Sequence, residues 1–126
     1  MTHDTALADS QYINLRSFKR DGEPVDTPVW CAPLDGVLVV FTLRESFKVK
    51  RIRRNPRVQV ARCDVRGKLL GPFHEGTCVL VEDRARESRA YAALTGKYGM
   101  KMRIGDVFSA LTGRKKRRVI LQIELA

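Results

Sequence analysis

Residues 37–60, VLVVFTLRESFKVKRIRRNPRVQV, change their apolar period twice. VLVVFT, 37–42, is a continuous β-branched and aromatic run, the pattern of a buried strand. At Ser46, a good helix N-cap, the spacing changes. Val49 and Ile52 stand three apart, enough apolar spacing for a short helix over FKVKRIRR. Asn55-Pro56 stops that helix, because the residue before a proline avoids the helical region. VQVARCDV, 58–65, then alternates as a strand. The helix between the two strands is strongly basic: six cations and no acid follow Glu45 up to Arg57.

Outward from this unit the chain is a series of hairpins. Tyr12 to Arg20 alternates, with Tyr12, Leu15 and Phe18 as its large apolar positions and a slip that reads as a bulge. Asp21-Gly22 supplies a turn and PVDTPVWCA, from Pro24, returns as a strand, with Pro28 marking an edge or an interruption of the ladder. Asp35-Gly36 is a second hairpin signal. Downstream, Arg66-Gly67 turns the chain into FHEGTCVLV, 73–81, where Gly76 is a candidate bulge. From Asp83 the period lengthens: Ala90, Tyr91, Leu94 and Tyr98 recur at helical spacing, with Gly99 as C-cap. MRIGDVFSALTG, 102–113, is a second helical or irregular piece, and RVILQIEL, 118–125, is the closing strand. The expected fold is mainly β: six antiparallel strands in a closed or partly open barrel, with a short helix after strand three and a helical excursion before the last strand. Residues 1–126 read as a single domain, with residues 1–10 as a flexible N-terminus.

At 126 residues and 44% hydrophobic content the chain can bury a modest core. Its longest apolar run, Val37 to Phe41, is far too short to span a bilayer, and MTHDTALADS lacks the regions of a signal peptide. Cys31, Cys63 and Cys78 have no CxxC spacing and sit in strand-like runs, so buried reduced thiols and a cytoplasmic location are expected. His3 and His74 have no partners at metal-ligand spacing. No paired carboxylates, Ser/His/Asp set, Walker loop or GxGxxG is present, so chemistry by a side-chain nucleophile is not expected. The net charge of +10 points to an anionic partner.

Composition leaves several readings of the basic helix open. Its cations can be a solvated face with Ser46 merely its cap. They can meet nucleic acid, together with Arg114-Lys115-Lys116-Arg117-Arg118, although Phe47 and Asn55 are the only readers of base or ring beside them. A membrane surface needs a wider apolar face than Val49 and Ile52 provide. Lastly, Thr42, Ser46 and Lys48 cluster where a helix N-terminus attracts phosphate. Lys48 and Arg51 share one face, and Lys50 and Arg54 form a second row.

The order Thr42, Ser46-x-Lys48, Asn55-Pro56 and the valine strand (Val58, Val60) resembles the split-barrel flavin-binding proteins related to pyridoxamine-phosphate oxidase. TPVWCA at 27–32, SFKVKRIRRNPRV at 46–58, ARCDVRGKLLG at 61–71 and KYG at 97–99 look like the branch of F-420-dependent oxidoreductases, the flavin/deazaflavin oxidoreductases of type B. The resemblance runs from Tyr12 to Glu124 and implies an FMN-binding split barrel. It implies that Thr42, Ser46, Lys48 and Arg51 hold the phosphate of coenzyme F-420, or alternatively of FMN, and that Pro28, Val29 and Trp30 lie along the ring system. The second row, Lys50 and Arg54 with Arg53 or Arg57, is then available to the acidic oligoglutamate tail of the deazaflavin. It further implies a homodimer with the cofactor at the subunit junction, and hydride transfer to a small-molecule electron acceptor such as an enone, a quinone or a biliverdin-like tetrapyrrole. Pyridoxamine-phosphate oxidases carry Arg where this chain has Phe47, and their C-terminal substrate signature is absent, so vitamin B6 oxidation is not expected. The alternatives are a non-catalytic carrier of flavin, deazaflavin or haem, and a basic nucleic-acid binder. Trp30 reads equally as core or as ring wall. Tyr91 and Tyr98 read as helix-packing residues, with Tyr98, beside Lys97, the one that has a route to a substrate pocket. The 114–118 run reads as a surface turn and strand entry that can extend the positive rim. Cys63 reads as buried near the ring without a redox role.

Overall fold

The structure, a computed structural model, describes residues 5–44, 46–99 and 118–126. Seven strands form one antiparallel sheet: β1 (Tyr12–Phe18), β2 (Pro24–Val29), β3 (Ala32–Leu34), β4 (Val37–Leu43), β5 (Arg57–Cys63), β6 (His74–Val81) and β7 (Arg118–Leu125). Three helices accompany them: α1 (Thr5–Asp9), α2 (Phe47–Arg54) and α3 (Arg84–Tyr98). The strand order is β2-β1-β5-β6-β7-β4-β3. β2 and β3 are therefore opposite edges of the sheet, yet only Trp30 and Cys31 lie between them in the chain. Three residue steps span no more than about 10 Å, so the two edges must approach each other and the sheet must curl. That is the split barrel.

The expected six strands become seven because PVDTPVWCA divides at this crossing. Pro28 pairs with Asn14 on the outermost strand, where a missing donor costs no ladder bond. Beyond Val29 the chain leaves that edge, and it resumes pairing on the other through Ala32 and Val39. Gly76 is no bulge, since Val58↔Gly76 and Gly76↔Leu125 fall in unbroken registers. It is instead a close approach: a Cβ there would lie 3.1 Å from the Glu124 carbonyl oxygen. At the Asp35-Gly36 turn both residues have positive φ, 52° and 83°, the twist that a tight hairpin between right-handed strands needs.

The residues expected to be a flexible end include helix α1, whose Leu7 is buried. Leu7 joins Ile13, Leu15, Val40, Val60, Leu121 and Ile123 inside the barrel. α2 contributes Val49 and Ile52, both buried, so its apolar flank faces the barrel and its cations are left outside or at the margin. α3 lies on the other face: Ala90, Leu94 and Tyr98, spaced by four, pack with Ala32, Val39, Val81 and Ile120. Asp83 caps α3 by accepting from the Arg86 N–H at 3.0 Å, and Arg86 and Arg89 clamp Asp35 of the hairpin turn at 2.6 and 2.8 Å. The expected piece at 102–113 lies outside the described residues. No helix among the described residues is long and apolar enough to cross a membrane.

Candidate functional site

Four chain segments meet at one mouth of the barrel: the end of β2, the end of β4, the first turn of α2 and the start of β7. Between them is a cavity of about 330 Å³, lined by Pro28, Val29, Trp30, Phe41, Thr42, Leu43, Lys48 and Arg118. One wall is apolar and aromatic. The other carries a hydroxyl and two cations, with no carboxylate in the lining among the described residues.

Lys48 is half-buried, and its ammonium donates to Thr42 Oγ1 at 3.1 Å. Desolvation lowers its pKa below the ordinary 10.5, and the like charge of Arg51 lowers it further. No salt bridge to Lys48 occurs among the described residues. A cation taken partly out of water and offered only a neutral oxygen has unused capacity for an anion. Thr42, which accepts from Lys48, keeps its own O–H to donate.

The other expected site residues divide. Pro28, Val29, Trp30, Thr42 and Lys48 line the cavity together; Ser46, Lys50, Arg51 and Arg54 do not. Ser46 occupies the N-cap position of α2 but makes no capping bond, and its Oγ is shielded from solvent with no hydrogen-bond partner. Its hydroxyl thus adds a third polar group at the head of α2 whose bonding capacity the chain leaves open. Arg51 turns toward β1 and donates from Nε to the buried Ser17 Oγ at 2.7 Å. Lys50 is exposed, with its ammonium 5.3 Å from the centre of the Phe47 ring. Arg54 is exposed as well, near enough to Arg51 to lower its pKa.

Phe41, Leu43 and Arg118 are lining residues that the sequence reading did not single out as a site. Arg118, from the run expected to be a surface turn, is brought in by register: it pairs with Leu43, and its guanidinium lies 4.9 Å from the centre of the Phe41 ring. Residues 114–117 lie outside the described set. Tyr98 does not open into the cavity. It is buried behind Trp30, stacked on it at 4.4 Å with an 8° tilt, while Phe41 meets Trp30 edge-on at 6.1 Å. The two readings of Trp30 therefore merge: one side is packed on the α3 cluster and the ring also forms cavity wall. Tyr91 is partly buried against the same cluster.

Burial pushes the Cys31 thiol up to about 11, despite the opposing charge of Lys97, and the Cys78 thiol up to about 12. Burial raises Cys63 too. All three thiols are free and stay protonated at neutral pH, so none is poised as a nucleophile. No cluster of metal-ligating side chains occurs among the described residues. What the cavity offers is an anion-holding corner beside an apolar, aromatic wall.

The pyridoxamine 5'-phosphate oxidase family profile matches residues 2–126. Among solved structures, a conserved hypothetical protein of Mycobacterium tuberculosis is 24% identical, with 99% of this chain and 81% of that one aligned and a TM-score of 0.71. An F-420 reductase is 18% identical over 100% of this chain and 95% of its own, with a TM-score of 0.63. The haem storage protein HutZ of Vibrio cholerae is 11% identical over 92% and 82%, with a TM-score of 0.70. At such identities the likeness speaks to the fold. No curated protein matches the chain.

Proposed function

The chain belongs to the pyridoxamine 5'-phosphate oxidase family, and from that membership we propose that it is an oxidoreductase holding a flavin-type cofactor in the Lys48 cavity. Coenzyme F-420 is the preferred cofactor and FMN the alternative. The observation that carries the proposal is Lys48: a half-buried ammonium, with a neutral hydroxyl for company, at the head of a helix beside an aromatic wall.

The residues fit the group. Lys48 and Thr42 would hold the cofactor phosphate, and Ser46, with its unpartnered Oγ, has a hydrogen bond to offer it. Arg51 raises the positive potential around Lys48 without entering the cavity. Pro28, Val29, Trp30 and Phe41 supply a wall that excludes water along the ring system. When bound, the reduced deazaflavin supplies the hydride. The lining among the described residues is apolar, hydroxyl and cationic, which suits position, exclusion of water and electrostatic hold.

F-420 is preferred to FMN because Lys50 and Arg54 expose a second set of cations on α2 beyond what one phosphate uses. These suit an oligoglutamate tail, and such exposed pairings are weakened by salt. The acceptor is an electron-poor conjugated molecule of the enone, quinone or biliverdin-like class. A homodimer with the cofactor at the junction and a cytoplasmic setting complete the reading, the latter supported by three buried free thiols.

Trp30 is the only tryptophan, so its emission reports occupation of the cavity directly. Titration of the apo-protein with F-420 and with FMN is expected to quench Trp30, more tightly with F-420 and with a steeper salt dependence than FMN shows. Absence of quenching by both cofactors overturns the proposal, and tighter FMN binding reverses the preference. Bleaching of reduced cofactor by menadione or biliverdin then separates an oxidoreductase from a carrier, which would show binding without turnover.

A further inference from the structure

Lys97 and Tyr98, the last two residues of α3, make no contact with the cavity, yet they concentrate more hydrogen bonds than any other adjacent pair of side chains described above. Lys97 Nζ donates to the carbonyl oxygens of Ala8, Ser10 and Cys31, each at 2.7 Å. The Tyr98 hydroxyl accepts from the Cys31 N–H at 2.9 Å, and its single hydrogen is shared between two acceptors, the carbonyl oxygens of Gln11 at 2.9 Å and Cys31 at 3.0 Å. Three separate pieces of chain are thereby joined: residues 8–11 at the end of α1 and just past it, the β2–β3 crossing at Trp30-Cys31, and the C-terminus of α3.

The crossing is where the backbone has least support of its own. Trp30 and Cys31 belong to neither flanking strand, so no sheet ladder fixes them. Cys31 has both its N–H and its C=O held by the α3 pair instead. Trp30 is one residue away, its ring stacked on the very phenol whose hydroxyl holds Cys31. The indole forms cavity wall on its other side.

We infer that Lys97 and Tyr98 are positioning residues for the cofactor site: they set the place and the rigidity of the Trp30 ring, and through it the affinity for a flat ring system. This rests on the reading of the cavity as a flavin-type site. The physical basis is that a binding wall on an irregular segment is only as well placed as the side chains locked behind it. The rule that charge-assisted bonds are the strong ones explains why a lysine shares the task. It also gives the segment around α1, whose Ala8, Ser10 and Gln11 carbonyls complete the set, a part in the site although none of it reaches the cavity.

Trp30 emission tests this without any ligand. Tyr98→Phe keeps the stacked ring and its packing while removing the hydroxyl, so it leaves the fold intact; Tyr98→Leu removes the stack too. Val60→Ala, buried in the barrel on β5 and outside the hydrogen bonds of Lys97 and Tyr98, serves as a control for general destabilisation. The expected result is that acrylamide quenching of Trp30 in the apo-protein rises at least about two-fold in Tyr98→Phe and further in Tyr98→Leu. Cofactor affinity should weaken by up to about ten-fold, the worth of about one hydrogen bond. Val60→Ala should move neither readout, and Lys97→Arg should retain most of the wild-type behaviour where Lys97→Met does not. Unchanged Trp30 quenching in both Tyr98 variants overturns the inference. If wild-type protein binds neither F-420 nor FMN, the flavin reading fails while the apo-protein quenching still decides whether Lys97 and Tyr98 position Trp30.

Discussion

Two lysines stand half-buried at opposite ends of two helices, and they are opposites chemically. Lys97, in the last turn of α3, satisfies all three of its donors on main-chain carbonyls at 2.7 Å. Lys48, in the first turn of α2, has one hydroxyl at 3.1 Å and a pKa lowered by desolvation. The fold uses the first as a knot. It bears the second as a cost, in a place where a helix dipole already favours negative charge and an ammonium adds nothing to the stability of the helix. A partly desolvated cation that its own chain leaves under-bonded is a stronger sign of a ligand than a row of exposed arginines. On that ground Lys48 outranks Lys50 and Arg54, in line with its place beside Thr42 and Ser46 at the head of the helix.

The largest expected effect comes from the knot. Lys97→Met takes this donor from the Ala8 and Ser10 carbonyl oxygens and leaves Cys31 only the shared Tyr98 hydroxyl, so it should cost about 2 kcal/mol or more of folding stability, given about 1–3 kcal/mol for each polar group left unsatisfied. Urea or guanidinium unfolding measures it. A loss below about 0.5 kcal/mol, the range of an ordinary surface substitution, breaks the contrast on this side.

Lys48→Met should do the reverse. Removing a desolvated charge should leave stability unchanged or slightly raised, whereas the affinity for a phosphate-bearing cofactor should fall by about 10- to 100-fold, the worth of one charge-assisted hydrogen bond. A variant that unfolds more easily but binds as before would show Lys48 to be structural and remove the basis of the proposed site.

A milder probe is pH, because it discharges Lys48 without deleting it. The folded, ligand-free pKa lies below 10.5, the unfolded value. Below the folded pKa the ammonium is charged in both states and the desolvation penalty is present; above 10.5 it is neutral in both and the penalty is gone. An anion favours the charged form, so affinity should hold at neutral pH and decline as pH rises through the lowered pKa, before 10.5 is reached. The decline cannot exceed the loss in Lys48→Met, and it should vanish in that variant. Titrations of both proteins across the alkaline range check this, and an identical decline in the two would assign it to another group.

How much of this contrast was legible beforehand depends on how local each feature is. The bounds of α2 follow from Ser46 at one end and Asn55-Pro56 at the other, and the observed helix is Phe47–Arg54. β7 matches RVILQIEL, and Asp35-Gly36 makes its hairpin, because turn chemistry and strand composition act within a few residues. The crossing at Trp30-Cys31 was not legible, since it depends on which edges of a curled sheet meet. Arg118 enters the cavity through its pairing with Leu43, a register between β4 and β7 that the letters do not encode locally. Tyr98 looked like a packing residue with a route to a pocket; its hydroxyl bonds lie 67 and 87 positions away in sequence. α1 hid because it is only five residues long and Leu7 is its one large apolar residue.

Ser46 is where a locally sound expectation met a different outcome, and it yields the smallest and most discriminating test. Its residue type and its extended backbone, φ −67° and ψ 152°, suit an N-cap, yet the hydroxyl makes no capping bond and is shielded without a partner. An ordinary capping serine changed to alanine costs about 1 kcal/mol. Here Ser46→Ala should cost less than about 0.5 kcal/mol, because there is no bond to lose and a poorly placed hydroxyl is removed. If the head of α2 is held ready for phosphate, the same change should weaken the cofactor by roughly three- to ten-fold, the worth of about one neutral hydrogen bond. Equilibrium unfolding and Trp30 titration on one preparation give both numbers. A full capping cost with unchanged affinity would return Ser46 to the helix and leave Lys48 and Thr42 to hold the anion alone.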